Sequence, residues 1–136
     1  MDHFYQIKDA LQSLLGQPGE DKPFVIIDHP SGKFVQFTGS TSEPLLLDLP
    51  SQPLSEAEFY RAVAYFKRFG VVGADHEVFD PDGCSAGTQF AFNVTFDSAE
   101  KASAAALEIF ELIYGLPKDA KLTIERSWGP RTDKSS

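Results

Sequence analysis

Few residues in this chain are equipped for chemistry, and their spacing limits what each can do. Cys84 is the single cysteine, and a thiol becomes a nucleophile only where a neighbour stabilises the thiolate. His29 and His76 are the histidines considered for that task. His76 stands eight residues before Cys84, in a turn-rich stretch with no third residue to orient an imidazole, so the cysteine reads as incidental. Asp75, His76, Glu77, Asp80 and Asp82 cluster nearby, and hard cations take several oxygens from a flexible loop. With Gly83 as the sixth loop position, however, Val78 falls at the first and Gln89 at the twelfth, where an EF-hand needs acidic ligands. A solvated acidic turn is the simpler reading. Neither Gly-x-Gly-x-x-Gly, a Gly-Lys-Ser/Thr phosphate loop nor His-Glu-x-x-His occurs. The Gly-x-Ser-x-Gly signature of hydrolases is likewise not expected, and the chain is read as non-enzymatic, with no catalytic residue, cofactor or metal.

The elements that would have to position any site are legible from periodicity. Phe4, Ile7, Leu11, Leu14 and Leu15 recur at helical spacing, with Asp2 as N-cap and Gly16 with Pro18 as the stop. Pro23 to Asp28 and Lys33 to Thr38 read as strands joined through His29-Pro30-Ser31-Gly32, and Leu45 to Leu49, bounded by Pro44 and Pro50, completes a meander. Ser55 and Glu58 form a capping box, with Leu54 and Phe59 as its hydrophobic staple. The helix they open carries a stripe of Phe59, Ala62, Val63, Phe66 and Phe69, leaves Tyr60, Ala64 and Tyr65 off the stripe, and ends at Gly70. His76 to Phe79 and Thr88 to Phe96 read as a further strand pair. A third helix opens at Asp97 and Glu100 and runs to Gly115, and Leu122 with Ile124 offers a short last strand. The expected fold is therefore α+β, an antiparallel sheet with helices packed against it in the order α-β-β-β-α-β-β-α. One domain is expected over 1–126, followed by a mobile polar tail over 127–136 that contains Trp128.

Composition narrows the partners. The 136 residues carry 12 Lys and Arg against 20 Asp and Glu, a net charge of −8 that repels phosphate backbones and argues against nucleic acid. No apolar run approaches the roughly 20 residues of a membrane helix. A single cysteine and the lack of a basic-then-apolar leader point to the cytoplasm. The meander is apolar on both faces, Phe24 and Ile26 against Val25 and Ile27, then Val35 and Phe37 against Phe34. One face needs cover from the first helix, a second subunit or a client. A client protein is expected at Phe37, Leu45, Leu47 and Leu49.

The element order resembles the bacterial type III secretion chaperone-like superfamily, including its TY-Chap and YbjN-like branch. The resemblance rests on Phe24-Val25-Ile26-Ile27, on Gly32-Lys33-Phe34-Val35-Gln36-Phe37, on Leu45 to Leu49 with the Pro53-Leu54-Ser55 helix start, and on Phe69-Gly70. It implies a small acidic cytoplasmic homodimer that holds an unfolded or partly folded client or effector protein without ATP or an active site. It further implies a dimer interface on the second helix and the strand after it, near Tyr60, Ala64 and Phe79. A different class remains open: an immunity-type protein that neutralises a basic toxin with its acidic surface.

Overall fold

A computed structural model describes residues 3–79 and 83–128 of the chain. The elements are α1 (His3–Leu15), β1 (Phe24–Asp28), β2 (Phe34–Ser40), β3 (Glu43–Pro50), α2 (Glu56–Lys67), β4 (Ala74–Phe79), β5 (Ser85–Phe96), α3 (Ala99–Glu108) and β6 (Thr123–Ser127). A π-helical turn, Ile109–Ile113, continues α3. The strands form one antiparallel sheet of six in the order β4-β5-β3-β2-β1-β6. The fold is α+β, as expected, with the C-terminal strand present as a sheet edge.

The β1–β2 hairpin sets the register. His29 N–H donates to Lys33 O at 2.9 Å, and Gly32 takes the φ of 93° that the turn requires. Val25 then faces Phe37 and Ile27 faces Val35, Phe37 faces Leu47, and Leu47 faces Val94. Because side chains alternate along a strand, this register aligns Val25, Ile27, Val35, Phe37, Leu45, Leu47, Leu49, Phe92 and Val94 on one face. Pro44 and Pro50 lie inside β3 rather than outside it. Pro44 has no paired residue on either flank and Pro50 pairs only toward β5, so the missing N–H is tolerated in a central strand.

All three helices pack on that aligned face. Ile7, Leu11 and Leu14 of α1, Ala62 and Phe66 of α2, and Ala102, Ala106, Ile109 and Ile113 of α3 and its π turn close one core with the strand residues. Phe66 stacks on Phe92 with ring centroids 4.8 Å apart. Ser103 Oγ donates to Phe4 O at 2.7 Å, tying α3 to α1. This packing corrects the expected client surface. Phe37, Leu45, Leu47 and Leu49 are fully buried, because the register turns them toward the helices. The first helix shares that face and does not cover the other one.

The opposite face carries Phe24, Ile26, Phe34 and Leu46, all half-buried, among Gln36, Thr38, Asp48 and Asn93. Asn93 Nδ2 donates to Asp48 Oδ1 at 2.9 Å across β3 and β5. It is thus a mixed surface, not an apolar one.

Three further expectations are adjusted. Tyr65 is buried and Val63 is 42% exposed, because the inward stripe of α2 is Glu58, Ala62, Tyr65 and Phe66. The N-cap of α3 is Ser98, whose side chain accepts from Lys101 N–H, not Asp97. Ser127 pairs with Phe24 in β6, and Trp128 packs against the core, so the ordered domain continues beyond residue 126. Asp2 and residues 129–136 lie outside the described residues.

Candidate protein interaction site

Helix α2 begins at the capping box foreseen in the sequence: Ser55 Oγ accepts from Glu58 N–H at 3.1 Å, and Glu58 Oε1 accepts from Ser55 N–H at 2.9 Å. Lys33, just before β2, donates to the other Glu58 oxygen, and its ammonium lies 5.3 Å from the Tyr114 ring centroid. Burial raises the Glu58 pKa, but the Lys33 and Ser55 hydrogen bonds outweigh it and hold the carboxyl below its ordinary value. At the far end Gly70, with φ 71°, ends the helix in the left-handed conformation. Gly73 then passes so close to the Phe90 and Phe92 rings that it has no room for a Cβ.

This anchoring fixes which side of α2 faces out. Among the described residues six large apolar side chains are exposed, and five of them, Tyr60, Val63, Phe69, Val72 and Leu112, lie on α2, just after it or on the adjoining π turn. Tyr60 is 64% exposed, Leu112 45% and Phe69 42%, and Ala64 is exposed beside them. Of the expected dimer residues, Tyr60 and Ala64 therefore share an open helix face. Phe79 ends β4, and its side chain lies outside the described ones.

On one flank of α2 the groove toward α3 is built with polar side chains. Arg61 Nε donates to Ile113 O at 2.8 Å, placing a cation at the C-terminal end of the π turn, where the helix dipole favours it. Tyr65 Oη donates to Glu108 Oε1 at 2.7 Å, and the Arg68 guanidinium lies 5.3 Å from the Tyr65 ring centroid. Burial, then the Glu108 carboxylate, push the Tyr65 pKa far above the ordinary tyrosine range. Burial does the same to Tyr114, whose hydroxyl donates to Phe34 O at 2.6 Å. Both phenols are thus fixed donors rather than bases. A small recess bounded by Arg61, Ala64, Tyr65, Arg68 and Leu112 adjoins, through Arg68, a larger cleft of about 730 Å³ floored by Phe69, Phe96, Ala104 and Ala105. A separate cleft of about 580 Å³ lies between the start of α1, the π turn and residues 117–122, lined by Leu107, Phe110 and Leu122 with His3, Glu111 and Lys118 at its polar margin.

Of the residues weighed for chemistry, Cys84 and His29 stand on different hairpins, and the His76 side chain lies outside the described ones. Cys84 is exposed at the β4–β5 turn, while His29 bonds Ser31 in the β1–β2 hairpin. With β3 between them, strands β5 and β2 are about 10 Å apart. Contrary to expectation, the chain does contain a Gly-x-Ser-x-Gly pentad, Gly83-Cys84-Ser85-Ala86-Gly87. A nucleophile elbow needs a strand-to-helix turn. This pentad leads from one strand into another, with Ser85 paired to Phe79. Asp80 and Asp82 of the acidic turn lie outside the described residues, among which no cluster of three metal-binding side chains occurs. No described helix is long and apolar enough to cross a membrane.

Fold and site together define an α+β domain with one covered sheet face and an apolar, cation-flanked surface along its second helix. No protein-family model, curated protein or solved structure matches the chain.

Proposed function

We propose that the chain is a non-catalytic protein-binding module of the kind the secretion-chaperone resemblance implies, a cytoplasmic homodimer that holds a client or partner protein. One observation supports it above the others: five of six exposed large apolar side chains gather around α2. Large apolar side chains left exposed around one helix mark it as a surface for a partner. Tyr60 with Val63 forms the ridge assigned to the second subunit, and Ala64 sits between that ridge and the groove toward α3. The client surface moves from the buried meander residues to this side of the molecule.

Light scattering tests the reading on intact protein. A mass of twice 15.0 kDa, reduced to the monomer by Tyr60→Glu with unchanged circular dichroism, supports it. A monomer whose native partner is released by salt, and ignores Tyr60→Glu, favours the neutralising alternative, in which the net charge of −8 meets a basic toxin.

A further inference from the structure

We infer that the groove between α2 and α3 receives an acidic amphipathic helix of a partner protein, with carboxylates on Arg61 and Arg68 and apolar anchors on Leu112, Ala64 and Phe69. The inference rests on the protein-binding reading but uses the flank of α2 away from the Val63 side of the Tyr60 ridge, so the two can fail separately.

Charge carries the choice of occupant. The chain as a whole is strongly acidic at −8, yet the recess at this groove is bordered by Arg61 and Arg68 with no carboxylate among its lining residues. Neither arginine forms an ion pair among the described residues. Arg61 spends its Nε on Ile113 O, leaving its terminal nitrogens, and Arg68 lies over the Tyr65 ring. Beside them Lys101 pairs with Asp97 at 3.3 Å, and Glu108 accepts from the Tyr65 hydroxyl. The charged side chains lining the recess and the cleft beside it are thus Arg61, Arg68 and Lys101 against Asp97 and Glu108, a local positive excess on an acidic chain.

Shape selects a helix. Arg61 on α2 and Arg68 at its C-cap are seven residues apart, about 10.5 Å along the helix axis. A partner helix lying alongside meets both with carboxylates two turns apart. Between them Ala64 leaves room for close approach, Leu112 stands on the far wall, and Phe69 opens onto the 730 Å³ cleft, large enough for an aromatic or aliphatic anchor. A second copy is the poorer occupant: a two-fold axis through this flank would set Arg61 and Arg68 against their own counterparts.

The probe is a synthetic helical peptide of about 18 residues, roughly 27 Å long, with glutamates two turns apart beside a Leu and Phe stripe. One companion has lysine for glutamate, and another has alanine for the stripe. Binding is read by fluorescence anisotropy against the intact protein. The expected result is that the acidic peptide binds at least about tenfold more tightly than either companion. Arg68→Glu should reverse the preference toward the lysine peptide, whereas Val63→Ala, on the far side of the ridge, should leave it unchanged. Arg68 is the decisive position because Arg61 also bonds to backbone, and circular dichroism checks that each variant folds. Equal binding of the acidic and lysine peptides, or wild-type behaviour of Arg68→Glu, overturns the inference. So does failure of every peptide to bind. If Arg68→Glu instead lowers the mass in light scattering, the groove is a self-interface, and the inference falls while the protein-binding reading stands.

Discussion

Glu58 links the start of α2 to the sheet, and replacing it tests whether that link holds the helix in register. Its side chain is 7% exposed against 27% for Lys33. Glu58→Gln keeps an oxygen to accept from Ser55 N–H and so preserves the capping box while removing the charge. A hydrogen bond between charged groups contributes about 1.5–3 kcal/mol. Lys33 regains some water and keeps the Tyr114 ring face, so the lower end, about 1.5 kcal/mol, is expected. Glu58→Ala also leaves Ser55 N–H without its partner, adding about 1 kcal/mol. With an unfolding entropy of about 2.1 cal/mol/K per residue, a chain of 136 residues loses about 3.5 °C in Tm per kcal/mol. The expected drops are about 5 °C for Glu58→Gln and about 9 °C for Glu58→Ala.

The pH dependence follows from the direction of the Glu58 shift. Its folded pKa lies below the ordinary value of 4.5, so the folded state binds its proton less tightly than the unfolded state. The stabilisation is fully present above 4.5 and is lost as pH falls through the folded pKa. Calorimetry of wild type and Glu58→Gln should therefore show a constant Tm gap between about pH 6 and 8 and a closing gap in acid. A gap that persists unchanged to about pH 3, or no gap at neutral pH, would refute the role given to the Lys33–Glu58 pair.

The two sheet faces predict opposite sensitivities: Leu47→Ala should cost about 2–5 kcal/mol by denaturant unfolding, whereas its half-buried neighbour Leu46→Ala should cost less than about 1.5 kcal/mol. Equal losses would mean that the second face is also covered. Gly73→Ala should lose at least about 2 kcal/mol, since the new methyl displaces the Phe90 ring; a neutral result in the same unfolding assay would reject that contact. At the start of α3, Ser98→Ala should cost about 1 kcal/mol and Asp97→Ala no more than about 0.5 kcal/mol. The reverse order would return the cap to Asp97.

Much of the fold is legible because local signals agree with one another. The Ser55–Glu58 box, the glycine stops at Gly70 and Gly115 and the alternation from Thr88 to Phe96 each name one structure without tertiary help. Where sequence and structure part, two local solutions compete. Asp97 and Ser98 are adjacent capping residues, and only the packed helix decides between them. Val63 and Tyr65 sit on opposite borders of the α2 stripe. Tyr65 turns inward because its hydroxyl reaches Glu108, a partner 43 residues away that spacing on one helix cannot reveal.

The choice of sheet face had a usable signal in the sequence. From Val35 to Thr38 and from Leu45 to Leu49 one alternation set is wholly apolar, Val35, Phe37, Leu45, Leu47 and Leu49, while the other is broken by Gln36, Thr38 and Asp48. Helices remove water from the face that loses least by desolvation, so the unbroken set had to be the core. Once that face is spent on the core, Phe24, Ile26, Phe34 and Leu46 are left separated by polar neighbours, and the sheet no longer offers a continuous apolar bed. The exposed apolar side chains gather instead where α2 meets the π turn. There the arginines that flank them give a partner both a place to bury an anchor and a reason to be acidic.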